Sequence, residues 1–203
     1  MFPWKLIVLS GASGSGKTTC TKTLLRIMPD VSFCMLPSVT TRQPRRGDEP
    51  WYEYVDLDRF RERKLAGEFL WIEYAHKNFY GTAKESFVRS FAYGDCVITS
   101  LTPHDLRTIA RAAVTYGVKL EEMLFLHIRS PREETLRARL AHRGDSPESI
   151  ERRIGDCKDW DTLVEQLEKP GKLPSWDIAL PIAYLMNDST KEAFEEQIRM
   201  LFT

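Results

Sequence analysis

Leu6-Ile7-Val8-Leu9-Ser10-Gly11-Ala12-Ser13-Gly14-Ser15-Gly16-Lys17-Thr18 joins an apolar run to a glycine-rich turn, and this stretch decides the fold. Trp4 to Ser10 is short, rich in aliphatic residues and bounded by glycine, the pattern of a strand buried on both faces of a parallel sheet. Beyond the turn, Leu24, Leu25 and Ile27 predict a helix from Lys17 to Ile27, closed by Met28-Pro29-Asp30. The turn itself satisfies G-x-x-x-x-G-K-[ST] between strand and helix, the setting this pattern requires. Its glycines let successive backbone N–H groups curl round a polyphosphate, and the helix start adds partial positive charge. Gly11, Ala12, Ser13, Gly14, Ser15, Gly16, Lys17, Thr18 and Thr19 are therefore the expected triphosphate cradle. Lys17 would reach the β- and γ-phosphates of ATP, and the Thr18 hydroxyl would bind Mg²⁺.

Downstream, strand and helix patterns alternate. Strands are expected over Ser32 to Val39, Phe69 to Ala75, Asp95 to Leu101, Met123 to Ile128 and Ala183 to Met186. Asp56 and Asp58 can cap a short helix that ends near Gly67. Phe87, Val88 and Phe91 share one helical face, and a further helix spans about His104 to Tyr116. Ser130 followed by Glu133 reads as a capping box opening a helix to about Ala141. Pro147 begins another charged helix, and Thr190 to Phe202 closes the chain. Thr40 to Pro50 is polar, basic and without period. The alternation argues for an α/β protein with a parallel sheet.

Composition narrows the function classes. Among 203 residues, 29 Lys+Arg balance 29 Asp+Glu, which removes the long-range attraction expected of a bulk nucleic-acid or membrane-surface binder. No apolar run is long enough for a membrane span, and the N-terminus lacks the features of a secretory signal. Cys20, Cys34, Cys96 and Cys157 are widely spaced, as in a reduced, cytoplasmic protein. His76, His104, His127 and His142 have no ligand or triad spacing.

The segment Ser38-Val39-Thr40-Thr41-Arg42-Gln43-Pro44-Arg45-Arg46-Gly47-Asp48 resembles the acceptor loop S-x-T-T-R-x-P-R-x-G-E of the guanylate kinase family. Tyr52-Glu53-Tyr54-Val55 resembles the family's Y-x-F-V. Glu73 lies in a stretch similar to F-I-E-x-A, and Tyr80-Gly81-Thr82 matches Y-G-[ST]. Leu140 to Ile154 resembles the family's lid, and Asn187-Asp188 its late N-D pair. The resemblance implies a P-loop NTPase three-layer core with a parallel sheet, an inserted nucleoside monophosphate (NMP)-binding subdomain and a helical lid. The corresponding ranges are core 1–32, 94–138 and 161–203, NMP-binding subdomain 33–93 and lid 139–160. It further implies a single domain, ATP-dependent phosphoryl transfer to GMP or dGMP, and Mg²⁺ as cofactor. Partners would be small nucleotides, with no nucleic acid and no membrane, and the chain would act as a monomer or homodimer.

The residue chemistry agrees. Guanidinium forks at Arg42 and Arg45 suit bidentate phosphate recognition, and Tyr52 and Tyr80 can donate hydroxyl hydrogen bonds to the same monophosphate. The Glu73 carboxylate can accept from the adjacent N1–H and N2–H of guanine, a pair adenine lacks. Ser38, Gly81, Thr82 and Thr102 complete the acceptor set. Asn187 joins the ATP side, and Arg143 and Arg153 are the lid residues expected to neutralise charge on the transferring group. Arg139 and Arg152 lie beside them. Each has a plainer reading: a solvated basic loop, an outward-facing Glu73, packing tyrosines, a charged helical face.

The sequence also departs from the family. A D-x-D motif normally ends the third core strand, but Ser100 and Thr102 replace both acids here. The segment between Glu73 and Tyr80 and the spacing from Arg143 to Arg153 are both short, Asp48 replaces the usual Glu, and Trp51 adjoins Tyr52. Two alternatives therefore stand beside a guanylate kinase: a kinase for another phosphorylated acceptor such as ribose 1,5-bisphosphate, and a non-catalytic guanylate kinase-like binding module.

Overall fold

The computed structural model describes residues 2–44, 51–75, 77–167 and 179–202. In chain order the elements are β1 (Leu6–Ser10), α1 (Lys17–Ile27), β2 (Phe33–Met35), β3 (Ser38–Thr40), β4 (Tyr52–Tyr54), α2 (Leu57–Leu65), β5 (Phe69–Ala75), β6 (Asn78–Ala83) and α3 (Lys84–Tyr93). They continue with β7 (Cys96–Ser100), α4 (Leu106–Thr115), β8 (Met123–Arg129), α5 (Glu133–His142), α6 (Pro147–Leu167), β9 (Ile182–Met186) and α7 (Lys191–Phe202).

All five residues of β1 are buried, because β7 and β8 pair with it in parallel on either side and helices cover both faces. The whole core sheet runs in the order β2-β7-β1-β8-β9 and is parallel throughout. One face packs on α3, α4 and α6 through Phe87, Ile109 and Val164. The other packs on α1 and α7 through Leu24, Phe194 and Ile198. This is the expected three-layer α/β core.

A second sheet, in the order β4-β3-β6-β5, stands beside it. The single strand expected over Ser32 to Val39 is instead two short strands in different sheets. Leu36 donates its last core-sheet bond, N to Ile98 O at 2.9 Å. Pro37 then has no N–H to offer, and the chain crosses into the second sheet as β3. Neither β4 nor β6 was expected as a strand. Their alternation is weak because the second sheet packs α2 through a small satellite core, with Phe60 stacked on Phe69 and Phe79.

Two helix starts also differ from expectation. Ser130 does not cap α5; Pro131 favours extended backbone before it, and the helix begins at Glu133 without a side-chain cap. Asp188 supplies the acceptor from outside, taking the Arg132 N–H at 3.0 Å. The helix expected from His104 opens with a 3-10 turn, Pro103–Asp105, before α4. By contrast Asp56 caps α2 as read, accepting from Arg59 N at 2.7 Å. α6 runs unbroken past the expected lid boundary at residue 160 to Leu167. Among the described residues, no helix is long and apolar enough to cross a membrane.

Phe194 is fully buried, and one ring carbon lies where a Cβ on Gly16 would come within 3.3 Å of it. Phe194→Ala is expected to cost about 3–5 kcal/mol of unfolding free energy, read from the urea midpoint at unchanged m-value.

Candidate active site

The glycine-rich turn leaves the C-terminal end of β1, where the sheet edge opens into a cleft. Gly16 occupies the N-cap position of α1 at φ 116°, and a Cβ there would meet Asn187 Nδ2 at 2.3 Å. Only glycine fits both conditions. α1 has no side-chain cap and no acidic residue in its first turn, so its first N–H groups face the cleft without an internal acceptor. That arrangement suits an anion.

The loop is braced from behind. Asn187 Nδ2 donates to Ser15 O at 2.8 Å, and Arg139 donates to Gly14 O at 3.3 Å and to Asn187 Oδ1 at 3.2 Å. Ala12 is buried among Leu136, Leu140 and Ile154 of the two lid helices. Of the residues read from the sequence as triphosphate contacts, Gly11, Ser13, Gly14, Gly16, Lys17, Thr18 and Thr19 line the cleft, whereas Ala12 and Asn187 lie behind the loop and Ser15 gives its carbonyl to Asn187. Arg139 proves a closer neighbour of the loop than the sequence suggested. Lys17 Nζ folds back to donate to Gly11 O at 2.6 Å and Ala12 O at 2.9 Å. Burial, followed by weaker charge effects that include the nearby Arg143 and Arg153 guanidiniums, pushes its pKa down to about 8.

The acceptor residues come from the second sheet and face the loop across one cleft of about 390 Å³. Ser38, Arg42, Tyr52, Glu73, Tyr80, Gly81 and Thr102 all line it, together with Lys17, Arg143 and Arg153. The paired threonines explain how Arg42 is aimed. Thr40 Oγ1 donates to Phe79 O at 2.9 Å and accepts from Arg42 N at 3.1 Å. Thr41 Oγ1 accepts from Phe79 N at 3.0 Å. The Arg42 guanidinium lies over Tyr52 at 4.8 Å from the ring centroid, and Tyr52 meets Tyr80 edge to face. Thr82 is buried and does not line the cleft. Gly81 is required sterically, since a Cβ would strike the Phe69 ring at 2.7 Å. Arg45 lies outside the described residues, as does His76.

Glu73 is half-buried and faces the cleft rather than solvent. Burial, and then the nearby carboxyl of Asp105, push its pKa up to about 7, against a lowering effect from the Thr102 hydroxyl and Lys17. Asp105 is raised as well, by burial. Sequence reasoning missed Asp105 because nothing in Pro103-His104-Asp105 signals a site. It also missed Trp71, Ala75, Leu101 and Trp160, which supply apolar walls.

In the lid, Arg143 Nη1 donates to Ser13 Oγ at 2.9 Å. Asp145 holds both lid arginines, with Arg143 Nε at 2.6 Å and Arg153 Nε at 3.5 Å. Asp145 was not read from the sequence; a turn acid beside arginines carries no distinctive pattern. Arg152 is exposed. α6 is tied to the core by His127 Nε2 and Asp161 Oδ1, 2.7 Å apart.

Among the described residues no His/Cys/Asp/Glu cluster could hold a metal on its own. What adjoins Lys17 is a small side cavity of about 70 Å³ lined by the hydroxyls of Thr18, Thr21, Ser38, Thr99 and Ser100, with Trp51. Neutral oxygen donors fit a Mg²⁺ that keeps several waters and takes its countercharge from phosphates.

A sequence model of the guanylate kinase family matches residues 4–162. The guanylate kinase of Trichodesmium erythraeum is 35% identical over 202 residues, covering 98% of this chain and 96% of that protein. That of Oleidesulfovibrio alaskensis is 31% identical over 194 residues, covering 94% of this chain and 83% of the relative. Among solved structures, the guanylate kinase from Anaplasma phagocytophilum superposes with a TM-score of 0.53 at 18% identity, over 98% of this chain and 86% of the other. That likeness supports the fold.

Binding of a triphosphate should raise the Lys17 pKa from about 8, because phosphate charge favours the ammonium. At pH 8 the free protein is half protonated at this site, so titration with ATP should take up ~0.5 proton. Calorimetry in two buffers of different ionisation enthalpy measures this, and Lys17→Met should abolish it.

Proposed function

From the premise that the chain belongs to the guanylate kinase family and is a nucleoside monophosphate kinase, we propose that it transfers the γ-phosphoryl group of ATP to GMP or dGMP, yielding ADP and GDP or dGDP. The observation that carries this reading is the single cleft in which Lys17 and the glycine-rich turn face Arg42, Tyr52, Tyr80 and Glu73. Two alternatives, a kinase for another phosphorylated acceptor and a non-catalytic module, draw no support from the relatives, which bear the name guanylate kinase. The free cysteines fit the reducing conditions of the cytoplasm.

The mechanism we assign needs no covalent intermediate. The backbone N–H groups from Ser13 to Thr18 hold the triphosphate. Lys17 leaves the Gly11 and Ala12 carbonyls for the β- and γ-phosphates. Arg42 and Arg45 grip the acceptor phosphate, aided by the hydroxyls of Tyr52 and Tyr80, which brings the nucleophilic oxygen in line with the γ-phosphorus. Ser38 and Thr102 border the base, and Glu73 accepts from N1–H and N2–H. Arg143 and Arg153 neutralise the equatorial oxygens and exclude water as the lid closes, released from Asp145 as phosphate takes its place. Thr18 would hold Mg²⁺, with Ser100 beside it through water; the metal supplies charge neutralisation on the phosphates when bound.

Direction of the pH effect follows from Glu73. Its raised pKa keeps the carboxyl neutral below pH 7, and a neutral carboxyl cannot accept both guanine donors. The ionised, binding-competent form predominates only above pH 7. KM for GMP should therefore rise as pH falls through 7, by about tenfold per unit once protonation dominates, while KM for ATP lacks this limb. Glu73→Gln should erase the limb and lower the preference for GMP over AMP by about 10²-fold or more. Lys17→Met should lower kcat by about 10²–10³-fold. ADP release measured with ATP, Mg²⁺ and a panel of nucleoside monophosphates checks all three. Equal, negligible turnover with every monophosphate would overturn the reading.

A further inference from the structure

One apolar wall of the cleft comes from the lid helix rather than from either sheet. Trp160 stands on α6, partly exposed, and lines the same cleft as Glu73, Thr102, Arg143 and Arg153. It follows Arg153 by seven residues, nearly two helical turns, so both side chains share one side of α6, about 10 Å apart along its axis. The stretch between them lies over the chain that leaves β7: α6 packs on the 3-10 turn Pro103–Asp105, and the charge of His104 in that turn acts on Asp156 of α6. Thr102 immediately precedes the turn. Trp160, one helical turn beyond Asp156, therefore stands toward the Thr102 end of the cleft.

A second wall is built by strand alternation. Trp71, Glu73 and Ala75 are successive residues on one face of β5, and all three line the cleft. Trp71 is buried, with its ring edge to face on Phe87 of the core, so its position is fixed. Leu101 adds an apolar side chain beside Thr102. The cleft's cations, Lys17, Arg42, Arg143 and Arg153, suit phosphate, whereas the apolar group formed by Trp71, Ala75, Leu101 and Trp160 flanks Glu73 and Thr102. A carboxylate can read the edge of a planar base but offers nothing to its faces. Those faces are π-systems, and an aromatic side chain covers them well.

We propose that Trp160 is an acceptor-binding residue whose indole stacks on the acceptor base, so that one helix touches the base at Trp160 and the transferring group at Arg153. The assignment rests on the nucleotide-acceptor reading above. It is independent of which base Glu73 selects, because every base has a π-face. The run from Arg153 to Trp160 suits a nucleoside monophosphate laid along α6, its phosphate toward the arginine and its base toward the indole. Stacking holds the acceptor without choosing guanine; the choice is made at the edge, by Glu73. An acceptor seated against Trp160 also draws the arginine-bearing helix onto the filled site.

With the full chain, Trp160→Ala should raise KM for GMP by about 5- to 100-fold, the range expected for loss of one base–aromatic stack. KM for inosine monophosphate, which presents the same purine face, should rise by a similar factor, while KM for ATP changes by less than about threefold. Trp160→Phe keeps a ring and should hold KM for GMP within about threefold of wild type, whereas Trp160→Leu, apolar but without a ring, should not. Equal rises for GMP and ATP, or a leucine variant as good as phenylalanine, would make Trp160 a support of cleft shape. Unchanged kinetics in Trp160→Ala would make it idle. Each of these results overturns the assignment. Should thermal melting show the alanine and leucine variants to be unfolded, fluorine NMR of the chain labelled with fluorotryptophan decides. The Trp160 resonance, identified by its loss in Trp160→Phe, should shift with saturating GMP and stay in place with ribose 5-phosphate, which offers sugar and phosphate without a base. No shift with GMP, or equal shifts with both, overturns the assignment. A wild type that turns over no nucleoside monophosphate removes the underlying reading, and the assignment with it; a GMP-active wild type matched by Trp160→Ala sinks the Trp160 assignment alone.

Discussion

The bond from Asn187 Nδ2 to Ser15 O is a small contact with a wide reach. A glycine-rich turn has more conformational freedom than other chain segments, so its amides converge on one point only if something else removes that freedom. Asn187 does this from behind, across 172 residues of sequence, at the place where a side chain on Gly16 would collide with it. Arg139 spans the same two partners, Gly14 and Asn187, and Ala12 fills a hole between the lid helices. The turn is thus fixed jointly by the end of β9, by α5 and by α6. The same braces connect it to the lid, so a lid movement changes what holds the phosphate loop.

That linkage gives the lid arginines a defined resting place. Asp145 and Ser13 hold Arg143, while Asp145 and Ser149 hold Arg153. Without such partners, two guanidiniums near the Lys17 ammonium would repel one another and lower the lysine pKa further. A carboxylate within the same turn, Asp145, offsets the repulsion. The buried His127–Asp161 contact ties the far half of α6 to the core sheet. The half bearing Arg153 is joined to the phosphate loop through Ile150, Ile154 and Ala12. A helix fixed at one end and resting on the loop at the other is suited to rocking motion rather than unfolding.

The fold was largely legible in the chain. The aliphatic run of β1 has one stable outcome beside two similar runs, a parallel sheet with both faces covered, and Lys17 to Ile27 is helical over the range read. Legibility failed where local pattern met a tertiary demand. Pro37 splits what reads as one strand because the chain must change sheets there. Ser130 has the sequence of a cap, but α5 begins without a side-chain cap, and Asp188, distant in sequence, takes only the N–H of Arg132 just before it. The site divides in the same way. Lys17, Arg42 and Glu73 are readable because spacing and residue type both point to phosphate or base. Thr40 and Thr41 work by tying β3 to β6, and Asn187 by bracing a loop, roles that depend on the far partner. Asp105 and Asp145 were invisible for a simpler reason: an acid in a short turn is ordinarily a solvated one.

The absence of acids at Ser100 and Thr102 changes the balance of charge rather than emptying the site of it. On the phosphate side, cationic Lys17, Arg42, Arg143 and Arg153 line the cleft with neutral hydroxyls alongside, so a bound metal depends more heavily on the nucleotide's own phosphates. Around Glu73 the balance differs: burial and the neighbouring Asp105 carboxyl raise its pKa, and Asp105 is raised by burial as well.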